Sequence, residues 1–199
     1  MASVRLMTSI TLLSVAVLGV GITLSTSAAA GQAAGQNPVV VLDTSEGPIT
    51  IELYPDKAPI TVENFLKYVD EKFYDNLIFH RVIRGFMIQG GGLTDQMQEK
   101  PAHAPIKNES STGGISNERG TIAMARMNDP DSATCQFFIN HQDNKRLDHF
   151  RGGYTAFGKV ISGMDVVDKI ANVATTTKAS QDDVPIKPVY IKSARRKTK

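Results

Sequence analysis

The chain has 199 residues, 41% of them hydrophobic, with 22 basic against 20 acidic side chains and a formal charge of +2. So even a balance argues against nucleic acid as the main partner, and a single cysteine, Cys135, excludes an internal disulfide. The length suits one domain with a sizeable core and is short for two once a leader is set aside.

Arg5 precedes an apolar run from Ile10 to Leu24, shorter than the roughly 20 residues a spanning helix needs, and an Ala28-Ala29-Ala30 site follows. This pattern predicts a signal peptide over residues 1–30. Cleavage would leave an exported chain with no stable membrane span, and the loss of Arg5 would leave 21 basic against 20 acidic residues. The alternative is an uncleaved anchor. Residues 31–38 are small and polar and read as a linker.

The folded domain is expected over 39–192. Val39 to Asp43 and Ile49 to Leu53 alternate in polarity around "TSEGP", a hairpin signal. Next, Val62, Phe65, Leu66, Val69 and Phe73 recur at helical spacing, with Glu63, Lys67 and Asp70 opposite and Thr61 as the expected N-cap. The segment "LIFHRVIRGFMIQGGG" is strand-like but carries Arg81 amid apolar residues; if it is one strand, Arg81, Ile83, Met87 and Gln89 share a face unless Arg84-Gly85 forms a bulge. A buried, unpartnered cation is costly, so Arg81 either neutralises an interior acid or lines a wet groove. "GTIAMARM", "CQFFINH" and "YTAFGKVI" read as further strands. "GMDVVDKIANV" reads as a short helix with Met164, Val167 and Ile170 on one side, and "PVYIKSARR" as a last strand. Residues 193–199 are read as a solvated basic tail. Many short strands with two helices and no βαβ alternation point to a closed or nearly closed antiparallel β structure.

Standard catalytic signatures for nucleotide, metalloprotease or serine-hydrolase chemistry are absent from the sequence. His80, His103, His141 and His149 lack metal-ligand spacing, and Cys135 lies in an apolar run that suits a buried thiol. Gly90 to Gly92 suggest a tight turn or close backbone packing. Period-two counting puts Gln136, Phe138 and Asn140 on one face of their strand, so two strands each pair an amide with a large apolar group: Gln89 with Met87, and Gln136 with Phe138. Such a surface suits an extended peptide, although Phe138 and Met87 equally fit ordinary core.

In order and spacing, "FHRVIRGFMIQGGG", "GTIAMAR", "CQFFIN", "RLDH" and "YTAFGKVISGMDVVDKI" resemble the signature segments of cyclophilin-type peptidyl-prolyl isomerases, most closely bacterial exported members. The resemblance spans about Val39 to Lys192. It implies a mainly β fold, a closed eight-stranded antiparallel β-barrel capped by two α-helices. It implies an isomerase of Xaa-Pro bonds with Arg81 catalytic and Phe86, Met87, Gln89, Ala125, Gln136, Phe138, Leu147 and Tyr154 binding substrate, without metal or cofactor. The expected partners are proline-containing unfolded or folding polypeptides. The expected state is a monomer, and the expected location is the bacterial periplasm. Arg84 stands where the family commonly has proline, Tyr154 where many members have histidine, and Arg146 where many have tryptophan. The last change implies weakened binding of cyclosporin-type cyclic peptides. The competing reading is a proline-segment binding module or chaperone with little catalysis.

Overall fold

A computed structural model describes Met1 and residues 36–197; the expected signal peptide, the first part of the expected linker and the last two residues lie outside the described set. In chain order the elements are β1 (Val39–Thr44), β2 (Gly47–Leu53), α1 (Pro59–Asp70), β3 (Leu77–Ile83), β4 (Met87–Gly90), β5 (Thr121–Met124), β6 (Phe137–Asn140), β7 (Ala156–Ser162), α2 (Met164–Ala171), β8 (Thr175–Lys178), β9 (Gln181–Pro185) and β10 (Tyr190–Arg196). Eight strands close into a barrel in the order β1-β10-β3-β4-β6-β5-β7-β2, with every pairing antiparallel, while β8 and β9 form a separate hairpin. Among the described residues no helix is long and apolar enough to cross a membrane.

Alternation explains the barrel. Val40 and Leu42 of β1, Ile49, Ile51 and Leu53 of β2, and Ile88 of β4 point inward and are fully buried. Phe137 and Ile139 of β6 do the same, which sends Phe138 outward. The helix α1 contributes Phe65, whose ring lies 5.4 Å from Tyr74, 5.6 Å from Phe137 and 5.3 Å from Phe157. The interior is thus filled with side chains, and any binding surface must lie on the outside.

Several expectations change. The strand-like run around Arg81 is not one strand: β3 and β4 fold back on each other about Gly85, whose φ of 74° suits a tight turn. The irregularity falls one turn earlier, at His80, where the register shifts between Phe79 and Arg81. Because Arg81 pairs with Gln89 and Ile83 with Met87, these four still share the outer face. Thr61 is not the N-cap. The cap position is Ala58, with Pro59 following, and Glu109 satisfies the helix start from far along the chain. Its carboxylate accepts from the backbone N–H of Ile60 (3.1 Å) and Thr61 (2.8 Å) and from the Thr61 hydroxyl (2.7 Å). Phe73 lies past the end of α1, yet it is buried.

The expected basic tail also moves. Residues 193–196 belong to β10, paired with β1 from Val40↔Arg196 to Asp43↔Ser193. Arg195 and Arg196 form two-pronged ion pairs with Asp75 and Asp70, which hold both carboxyls below their usual range through the arginine hydrogen bonds. The three glycines behave as close packing requires. A Cβ on Gly90 would sit 2.9 Å from the Ile78 carbonyl, and one on Gly92 would sit 2.5 Å from Gln136.

Candidate active site

Outside the barrel, Met87, Ala123, Phe138, Leu147 and Ala156 form a second buried apolar cluster, with Ile83, Phe86, Ala125 and Tyr154 packed against it. Three neighbouring strands supply its floor. Gln89 of β4 faces Phe138 of β6, which in turn faces Ala123 of β5. Above this floor is a cavity of about 130 Å³ lined by Arg81, Phe86, Met87, Gln89, Ala125, Arg126, Phe138, Leu147 and Tyr154. Eight of the nine expected site residues therefore converge there. Gln136, the ninth, lines a wider adjoining hollow of about 490 Å³ and accepts a hydrogen bond from the Gln89 amide at 2.9 Å.

Arg81 is half-exposed, with 44% of its side-chain surface open. This resolves the choice left by the sequence in favour of a wet groove. Its nearest acid is Asp183 of β9, with Oδ2 3.8 Å from the Arg81 Nε, and no hydrogen bond ties its guanidinium to any described residue. Gln89, directly opposite in register, is held by Gln136 instead.

The walls are built by loops that are hydrogen-bonded to one another. The carbonyl of Phe86 accepts from the His141 N–H (3.0 Å) and the Asn144 amide (2.8 Å), and the Gly85 N–H donates to His141 Nδ1 at 3.0 Å. Leu147 lies in a short 3-10 turn, Lys145–Asp148, anchored by Asp148. That carboxylate accepts from Ser116 and from both the backbone and side-chain N–H of Asn117, at 2.6 to 2.8 Å. Burial pushes the Asp148 carboxyl up, but these bonds outweigh it and hold the group below the usual range. Tyr154 donates its N–H to the Leu147 carbonyl and sets its ring edge-on to Phe138, with centroids 5.8 Å apart.

Two groups were not legible as site residues. Arg126 stacks its guanidinium 4.2 Å from the Tyr154 ring centre, and donates to the carbonyls of Gly153, Met127, Phe150 and Arg151. It braces the wall with donors that are already engaged. Its only signal was its place after Ala125 in "MAR". Asp183 lies in a hairpin with no apolar period and gave no signal at all. Cys135 is buried and its thiol is pushed up by desolvation, away from nucleophile chemistry. Among the described residues no group of three or more His, Cys, Asp or Glu side chains is arranged to hold a metal.

Residues 39–196 match the family model described as cyclophilin type peptidyl-prolyl cis-trans isomerase/CLD. A peptidyl-prolyl cis-trans isomerase of Acinetobacter baylyi is 56% identical over 164 residues, covering 81% of this chain and 87% of that protein. Peptidyl-prolyl cis-trans isomerase B of Escherichia coli is 52% identical over 161 residues, 78% of this chain and 97% of the relative. The crystal structure of a Cryptosporidium parvum cyclophilin type isomerase in the presence of the dipeptide Ala-Pro superposes with a TM-score of 0.68 at 26% identity, covering 81% of this chain and 99% of that one.

Proposed function

The chain belongs to the cyclophilin-type peptidyl-prolyl cis-trans isomerases, and from that premise we propose that it turns Xaa-Pro bonds through Arg81 above the apolar cavity. A prolyl bond resists rotation by about 18–20 kcal/mol because the nitrogen lone pair is delocalised into the carbonyl. As the bond twists, the nitrogen becomes pyramidal and regains a lone pair that accepts a hydrogen bond. A donor that makes its contact only then stabilises the twisted state over both planar ones.

The observation that carries this reading is the state of Arg81: permanently charged, half-exposed, and with its N–H donors uncommitted among the described residues. Phe86, Met87, Phe138 and Leu147 offer the proline ring an apolar seat, and the low dielectric of that seat strengthens a contact from the guanidinium. Gln89, steadied by Gln136, is placed to hold the substrate backbone. The chemistry calls for no covalent intermediate, metal or cofactor.

The substrates are proline-containing segments of unfolded or folding polypeptides. The reading extends to export: residues 1–30 act as a cleaved signal peptide and the enzyme works as a periplasmic monomer. Arg146 is exposed beside Leu147 and offers no indole, so cyclosporin-type peptides bind weakly. The deciding test is the cis/trans exchange rate of a short Xaa-Pro peptide by NMR, with mature protein and Arg81→Ala side by side. The expected result is acceleration by the first and its near loss in a second that keeps its fold. Peptide binding by both without acceleration would instead identify a holding site. Amino-terminal sequencing of the exported protein, expected to begin at Gly31, checks the leader.

A further inference from the structure

The β8–β9 hairpin brings Asp183 to the edge of the groove. Val184 next to it is buried, Lys178 donates to the Asp95 carbonyl at 2.8 Å, and the Ile186 N–H donates to the Ala174 carbonyl at 2.9 Å, so the turn end of the hairpin is tied to the body of the domain and its two arms are tied to each other. β9 lies against β3, the strand of Arg81. Asp183 itself has φ 62°, in the left-handed region that disfavours most side chains but is tolerated by aspartate. This turns its carboxylate toward Arg81, and it pairs with no other cation among the described residues.

The contact has a particular form. Oδ2 approaches the Nε edge of the guanidinium and stops at 3.8 Å, beyond hydrogen-bond distance. An acid placed at the terminal fork would occupy the donors that a substrate needs. Placed at the Nε edge without a hydrogen bond, it attracts the cation and leaves those donors free. Resting on the assignment of catalysis to Arg81, we infer that Asp183 is a positioning residue, an electrostatic tether that keeps the Arg81 fork over the proline seat.

Both partners are about two-fifths exposed, so the tether is weak and its loss costs activity by about two- to fivefold. The Arg81 contact is made with the twisted bond, so the loss falls on kcat and leaves KM nearly unchanged. It is also sensitive to salt, because the screening length shrinks to about 3 Å at 1 M, shorter than the pair.

The test compares wild type, Asp183→Asn and Arg81→Ala on an uncharged Xaa-Pro peptide, at about 20 mM and about 1 M salt. The expected result is a two- to fivefold lower kcat for Asp183→Asn at low salt, a KM nearly unchanged, a gap that closes at high salt, and an unchanged melting temperature, since asparagine also tolerates the left-handed backbone. Wild-type activity in Asp183→Asn beside a dead Arg81→Ala overturns the tether alone. So does a loss that salt does not change, since that marks a structural role for the hairpin. Full activity in a folded Arg81→Ala overturns the tether together with the reading it rests on.

Discussion

His80 sits one residue before Arg81 but, unlike that half-exposed side chain, is buried. Its Nδ1 finds no hydrogen-bond partner among the described residues, and burial followed by the neighbouring Arg81 charge lowers its pKa to about 4. The folded-state value lies below the ordinary 6.5, so the unfolded chain binds the extra proton between the two. Stability from this residue is therefore complete above about pH 6.5, falls as the pH drops toward 4 and is level below, a loss of about 3 kcal/mol in all. Denaturant titrations across that window should show the slope, and His80→Gln should remove its share of it. Cys135 gives a second check: a thiol reagent should label it only after unfolding, because the thiol is buried and held protonated. The sequence offered Phe138 and Met87 as groove or core with equal force. Register decides: Phe138 and Met87 are almost fully buried, but in the outer cluster, where the far side of each is cavity. Asp183 and Arg126 were illegible because their roles depend on partners brought close by folding, and no spacing rule reports that.

Elements show the same limit. Local spacing nominated Thr61 as the cap of α1, but the carboxylate that satisfies the first turn comes from Glu109, 48 residues further on. Glu109→Ala leaves two backbone N–H groups and a buried hydroxyl without their acceptor, and should cost about 2–3 kcal/mol in a denaturant melt. The amphipathic period of α1, in contrast, was readable up to its end: Val62, Phe65, Leu66 and Val69 face the core, as their spacing requires, and only Phe73 falls beyond the helix. The β8–β9 hairpin went unread because β8 is exposed throughout and carries no apolar alternation. The glycines between β4 and the long loop were legible as close packing but not as support for the site. Gly92→Ala would drive a methyl into Gln136, the partner of Gln89, and should lower kcat/KM several-fold while the far-UV spectrum stays unchanged.

For the whole molecule, the filled barrel confines chemistry to the outer wall, and the strand order brings segments distant in sequence to that wall. The order of strand-like runs was legible, and with the family resemblance so was the barrel: alternation is plain in β1 and β2, whereas β5 and β6 are buried on both faces because the outer cluster covers them. The strand at the closing seam was legible too, since "PVYIKSARR" ends at Arg196 as β10 does, but the domain bound drawn at Lys192 cut through it: Ala194 beyond that bound is fully buried and two aspartates await the arginines. Truncation after Lys192 should therefore cost about 3–4 kcal/mol at roughly 1 kcal/mol per lost ladder bond, and lower Tm by about 10 °C in a thermal melt.

The same seam sets a schedule. Polypeptides are made from the amino end, and β1 gains β2 as a neighbour within a few residues of its own synthesis. Its other edge waits for β10, the last strand made. Until then the segment 39–44 carries a row of unmet backbone groups, the feature by which nascent strands find wrong partners. This isomerase is thus a late finisher in its own folding, and its first strand is the stretch a holding factor would meet for longest.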